Sequence, residues 1–356
     1  MKTLVLTASL LSAAGMPPMA PPVTIEQPQT LDGTWRARLQ DTWTRKDGER
    51  WVSLQLEMDS DRNFGFSIPM EELEGLGARG DRWTASDVRF NVRRDAGTVD
   101  FQGNFSDGRG SGTWRFVPNA EFVSTMRKTY PDLSSEQVFK LAIHDVSRSF
   151  IAAMSQEGYV RPSLDELTKM RIHGVDAGYV QGLRKAGYNN LTVGELVKTR
   201  IHGATPAFAQ EVSAAGFDKV SIDDLVKMRI HGVTPEFVRE LKDLGYKDLR
   251  VDDVVKLRIH GASPTFIREM GDLGYKNLAL NDVVRMRIHG VTAQYVKELR
   301  DLGYSNVSVD DLVRMRIHGV TPEFIRDVNA AGFKNMTVAD LVDFSIHGRR
   351  WLKKRA

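Results

Sequence analysis

The stretch Met228-Arg229-Ile230-His231-Gly232-Val233-Thr234-Pro235-Glu236-Phe237 decides the fold, because versions of it return every twenty-nine residues. All eight histidines fall on this period, from His144 to His347. Self-similarity at such an interval marks a stacked-repeat architecture. The stretch itself holds one helix stop and one helix start. Gly232 accepts the left-handed backbone that ends a helix, Thr234 offers a side-chain cap, Pro235 a preset first turn, and Glu236 a charge that complements the positive helix end. A second start lies upstream, where Ser221 precedes Asp224 by three residues.

Each unit therefore predicts two short amphipathic helices. Phe237, Val238, Leu241 and Leu244 follow one apolar stripe, and Ile222, Leu225, Val226 and Ile230 follow another. A pair this small buries too little by itself, so neighbouring units must stack. The expected result is an α-solenoid of eight 29-residue two-helix repeats over residues 119–350, followed by a basic tail at 351–356.

Several columns run through the repeats. Asp223, Asp224 and Lys227 point away from the apolar stripe and read as a solvated face. Arg171, Arg200, Arg229, Arg258, Arg287 and Arg316 return to the apolar side, whereas the outermost units place Ala142 and Ser345 in that slot. This ladder is expected to be partly buried and to bridge units, its guanidinium fork meeting helix-end carbonyls or a neighbouring carboxylate. His173, His202, His231, His260, His289 and His318 each precede Gly at a helix end, so carbonyl capping is expected, with a pH-responsive column as the alternative. A metal site is not expected. Zinc needs its ligands within about 2.1 Å of one point, while helices of adjacent units pack about 8–10 Å apart.

Upstream of the repeats the hydrophobic period changes to two. From Asp32 to Phe116, apolar residues alternate with polar ones in six runs: Trp35 to Leu39, Val52 to Met58, Phe64 to Ile68, Val88 to Val92, Val99 to Phe105, and Trp114 to Phe116. This predicts an all-β domain over 32–118, an antiparallel meander, barrel or sandwich. Between the third and fourth runs, residues 70–87 exceed a hairpin loop and contain a helix-like Met70-Glu71-Glu72-Leu73-Glu74 segment. Trp35 and Trp114 fall on inward rows and read as core. Trp43, Trp51 and Trp83 fall outside them, and Trp51 and Trp83 are candidate ligand contacts.

The amino end carries Lys2, an apolar run from Leu4 to Ala14 and then prolines, the order of a secretory signal. We read 1–15 as a signal peptide and 16–31 as a Pro-rich linker. The apolar run is about half the length of a membrane-spanning helix, so no span is expected after cleavage. No cysteine is present, which excludes disulfides and thiol chemistry. A formal charge of +3 arises from 49 basic and 46 acidic residues, interspersed rather than gathered into the stripe a nucleic-acid binder presents.

Two stretches together carry a resemblance: Gly97-Thr98-Val99 through Gly110-Ser111-Gly112-Thr113-Trp114-Arg115-Phe116-Val117-Pro118-Asn119, followed directly by the Arg-Ile-His-Gly-Val-Thr-Pro-Glu-Phe units. The chain is similar to exported bacterial helical-repeat proteins and to the extracytoplasmic extension of some beta-lactam-sensor-type membrane metallopeptidases. The resemblance implies a sensing or interaction module. It does not bring a peptidase, because every histidine is followed by Gly or Asp and no His-Glu-x-x-His exists.

Nothing in the sequence offers a nucleophile–base pair or paired carboxylates, and Glu71, Glu72 and Glu74 read as the solvated side of a loop helix. The functional expectation is an exported, non-enzymatic interaction scaffold without cofactor, whose partner is another envelope or secreted protein. Exposed positions of the first helix differ between units, as Glu236, Arg239 and Lys242 differ from Ala207, Gln210 and Ser213. Candidate contacts are therefore Glu236, Arg239, Lys242, Arg268, Lys297 and Arg326. The alternative is an envelope carbohydrate or small-ligand binder that uses the β domain and its 70–87 loop.

Overall fold

The computed structural model describes residues 29–39, 43–44, 50–59, 62–77 and 82–348. The signal segment, most of the Pro-rich linker, the basic tail and the Trp43 side chain lie outside the described residues. Among those that are described, no helix is long and apolar enough to cross a membrane. The chain divides into two compact units, residues 1–143 and 144–356.

The first unit is one antiparallel sheet. Its strands are β1 (Leu31–Arg38), β2 (Trp43–Thr44), β3 (Arg50–Asp59), β4 (Arg62–Pro69), β5 (Ala85–Arg94), β6 (Gly97–Ser106) and β7 (Arg109–Pro118). β5, β6 and β7 form a meander, β7 pairs with β1, β1 with β3, and β3 with β4. The two-residue β2 extends the edge of β3 beside β1. The six alternating runs thus become the six long strands of a single sheet. Alternation places Trp35, Leu54, Phe101, Trp114 and Phe116 in the core, and both tryptophans are only 1% exposed. Gly110 makes room for this packing, since a Cβ there would lie 2.7 Å from the Trp35 ring and 2.4 Å from that of Phe105. Asp107 and Gly108, both at positive φ, form the tight turn that matches strand twist between β6 and β7.

The long 70–87 connection has a packing role. Met70, Leu73 and Leu76 are buried, and Glu74 makes an isolated bridge to Asn91 on the free edge of β5. Glu72 pairs with Arg94, and Glu74 with Arg93 at 3.5 Å. The segment leaving β4 therefore fastens onto β5 at the opposite side of the strand order.

The first helical pair belongs to this unit, which carries the compact division past residue 118 to Ile143. Asn119 follows the last strand directly and caps α1 (Ala120–Arg127) through its side chain. In α2 (Ser135–Ile143), Phe139 stacks on Trp114 with ring centres 4.8 Å apart and meets Phe64 edge-on at 5.3 Å. Glu136 reaches Arg62 and Lys140, which hold its carboxyl below the usual carboxylate range, the Lys140 contact most of all.

The second unit contains two interleaved series of helices. One comprises α3 (Arg148–Gln156), α5 (Ala177–Lys185), α7 (Pro206–Ala214), α9 (Pro235–Asp243), α11 (Pro264–Asp272), α13 (Ala293–Asp301) and α15 (Pro322–Ala330). The other comprises α4 (Leu164–Ile172), α6 (Val193–Ile201), α8 (Ile222–Ile230), α10 (Val251–Ile259), α12 (Leu280–Ile288), α14 (Val309–Ile317) and α16 (Val338–His347). Successive members pack together within each series, from α4 against α6 to α14 against α16, and from α5 against α7 to α13 against α15. This is the nearest-neighbour stack required by helices too small to bury their own faces.

Equivalent positions meet equivalent environments. Leu167, Leu196, Leu225, Val254, Val283 and Leu312 are all fully buried, as are Met170, Met228, Leu257, Met286 and Met315. Where Thr199 replaces the second residue, its hydroxyl donates to the Leu196 carbonyl and accepts from the Tyr179 hydroxyl at 3.0 Å. A small polar pair thereby substitutes for a thioether without leaving a buried group unbonded.

Candidate interaction surface of the repeats

The surface begins at the end of the second helix of each unit, where local chemistry fixes three side chains in a row. In α8, the Val233 N–H donates to the Met228 carbonyl and the Gly232 N–H to the Arg229 carbonyl, closing the helix end with Gly232 at φ +66°. His231 is the half-helical residue before that glycine, and its own N–H donates to the Lys227 carbonyl. Arg229, Ile230 and His231 are thereby held at the rim. The same arrangement recurs at α4, α6, α10, α12 and α14.

Ile230 corrects one expectation. The stripe reading buried it, yet it is 56% exposed, and its six equivalents from Ile172 to Ile346 are 51–55% exposed. The reason is angular. Five steps of about 100° from the fully buried Leu225 carry Ile230 some 140° round the helix, away from the covered face, whereas Met228, three steps on, stays about 60° from Leu225 and fills the core. The result is a column of one exposed isoleucine per unit.

The arginine slot does bridge units, with an additional contact that sequence reasoning missed. Arg200 Nε donates to the Gly174 carbonyl at 2.7 Å and Arg287 Nε to the Gly261 carbonyl at 3.0 Å, in each case the helix end of the preceding unit. Arg171 meets Asp145. All six guanidinium groups also lie over an aromatic ring at the start of the preceding helix, from Arg171 over Phe150 to Arg316 over Tyr295, at 4.4–5.2 Å from the ring centre. That is cation–π range. The aromatic residues at this same 29-residue period were the signal available in the sequence. Burial is less than expected: Arg200, Arg229 and Arg258 are exposed, and the other three are half-buried. In the last unit Ser345 occupies the slot and donates to the His318 carbonyl at 2.6 Å, so the bridge survives a change of residue type.

The histidines mark the helix ends through their backbone rather than their rings. His202, His231 and His260 are exposed, and His173, His289 and His318 half-buried. His347 sets a ring nitrogen 3.2 Å from the Asp343 carbonyl of its own helix.

Beside this rim lies a ladder of ion pairs between units. Lys198 pairs with Asp223, Lys227 with Asp252, and Arg285 with Asp310. The pair raises the Lys227 ammonium above its ordinary range and lowers the Asp252 carboxyl, the hydrogen bond between them being the largest cause in both. The expected solvated face is therefore cross-linked from unit to unit.

On the first-helix surface, the candidate contacts divide. Arg239 pairs with Glu236 in its own helix, Arg268 with Glu240 of the preceding unit, and Arg326 with Glu323 and Glu298. Lys242 lies half-buried beside Gly216. Lys297 lines a shallow groove of about 400 Å³ with Thr265, Phe266, Glu269, Arg287 and Gln294. In the β unit, Trp51 is half-buried, and Trp83 packs against Phe105 with ring centres 4.9 Å apart.

No family model matches this chain, and no curated protein matches it either.

Proposed function

We propose that the protein is an exported, non-enzymatic scaffold that binds another envelope or secreted protein through its helical repeats. The observation that carries this reading is the isoleucine column. Solvent accepts any polar residue at a position more than half exposed, yet seven successive units keep the same large apolar side chain there. Exposed apolar groups gathered into a contiguous feature mark interaction sites, whereas scattered ones need no explanation. The similarity to exported helical-repeat proteins and sensor extensions agrees with this role, and the amino-terminal signal pattern supports periplasmic or secreted localisation. A ligand site in the β unit has less support, because the 70–77 segment is committed to packing and Trp83 to Phe105.

The test is affinity capture from envelope extract with the chain from residue 16 onward as bait, beside an in-register deletion of residues 222–250. Nearest-neighbour stacking predicts that the deletion still folds but retains less of the partner. Capture of no protein above background by the intact bait would reject the scaffold reading. Undiminished capture by the deletion would move the function to the β unit.

A further inference from the structure

The rim has three properties that together narrow what docks on it. The apolar feature is one side chain wide and seven units long, from Ile172 to Ile346, too narrow for a flat protein face but suited to a linear chain. It is flanked by cations on one side. Among the described residues Arg171 alone of its column forms an ion pair with a carboxylate, so Arg200, Arg229, Arg258, Arg287 and Arg316 present positive charge that no salt bridge neutralises. On the other side Lys198, Lys227 and Arg285 are neutralised by Asp223, Asp252 and Asp310.

Spacing supplies the third property. Packed helices repeat at about 8–10 Å. A polyproline-II chain advances about 3.1 Å per residue with three residues per turn, so every third side chain points the same way at about 9.3 Å intervals. A β-strand repeats its side chains at about 6.7 Å and would lose register after one unit. We propose, resting on the scaffold reading above, that the isoleucine–arginine rim docks an acidic, polyproline-II-like segment of the partner, one apolar side chain per unit at every third residue. Such a segment arrives already extended, which lowers the ordering cost of binding along several units.

The experiment uses the full chain and fluorescein-labelled synthetic peptides of about 18 residues, read by fluorescence anisotropy. One peptide repeats Leu-Pro-Glu; the control has the same composition with the leucines irregularly spaced. The regular peptide should bind at least tenfold more tightly than the control, and more weakly as salt rises. The triple variant Ile230→Ser, Ile259→Ser, Ile288→Ser should lose at least tenfold while keeping its helical circular dichroism, because these side chains are exposed. Arg258→Gln, which leaves the column in place, should flatten the salt dependence. Equal binding of the two peptides, or full binding by the triple variant, would overturn the proposal. So would cosedimentation with phosphatidylglycerol vesicles that the triple variant abolishes without peptide discrimination, which would assign the rim to a membrane surface. Concentration-dependent dimerisation abolished in the same way would assign it to a second copy and overturn the proposal equally. If the triple variant still captures the envelope partner in full, the rim proposal falls and the scaffold reading stands; if the unmodified chain captures none, the scaffold reading falls and the rim proposal with it.

Discussion

The β unit and the repeat unit solve the same burial problem with opposite connectivity. In the first, Trp114 packs beneath a sheet whose strands come from both ends of the unit, β1 lying between β7 and β3, and its ring is covered by Phe139 from a helix further on. In the second, bonds between units join residues close in sequence, 25 positions apart from Lys198 to Asp223 and 32 from Tyr275 to Val307. A closed non-local core loses all its contacts together. A nearest-neighbour stack loses them one interface at a time. Large perturbations should therefore come from the sheet and small, additive ones from the repeats.

Trp114→Ala should have the largest effect, about 3–5 kcal/mol, since it removes a fully buried ring and leaves a cavity against Phe139. Chemical denaturation should then show an early loss of the β signal with the helical signal retained. A single shared transition for both signals would erase the distinction between the units.

Next in size is Tyr275→Phe. The Tyr275 hydroxyl donates to the Val307 carbonyl at 2.6 Å, and Tyr159, Tyr246 and Tyr304 make the same strut to Leu191, Leu278 and Met336. Losing one should cost about 1 kcal/mol, and losing two distant ones about twice that. Thermal melts of single and double variants measure this. The struts also predict an alkaline limit. Burial raises the phenol pKa of Tyr159, Tyr246, Tyr275 and Tyr304 above the ordinary 10.0. A raised folded-state pKa means the folded chain holds the proton more tightly, so this stability is complete below about pH 10 and is lost as pH climbs through the folded values. Replacing all four by Phe should weaken that dependence.

Arg258→Ala should cost about 0.5–1 kcal/mol, the range of a cation–π contact at an exposed site, because Arg258 lies 5.0 Å over the Phe237 ring. Lys256→Ala, on the exposed face of the same helix, should change stability by less than about 0.5 kcal/mol. Smallest, and opposite in sign, is Lys219→Asn. Lys219 sits at φ +59°, where Asn190, Asn277, Asn306 and Asn335 stand in other units, so asparagine should add a few tenths of a kcal/mol, roughly. An unchanged melting temperature would show that the left-handed backbone at Lys219 is offset elsewhere.

Much of this architecture was legible in the residues. The 29-residue period, the Thr-Pro and Ser-x-x-Asp helix starts, the Gly stops and the two-residue alternation from Trp35 to Phe116 are local or periodic signals, so sequence alone determined a series of paired short helices after an antiparallel sheet. It also placed Trp35 and Trp114 inside, because alternation fixes which side of a strand a residue faces. The candidate site was less legible. Only the packed structure decided that Ile230 stays in solvent, that Arg229 rests on the Phe208 ring, that Lys227 pairs with Asp252 rather than within its own helix, and that Phe139 covers Trp114. Local chemistry sets where a helix begins and ends. Whether a side chain at its edge is covered depends on how far the next unit's helix reaches over it, and that distance is a property of the stack.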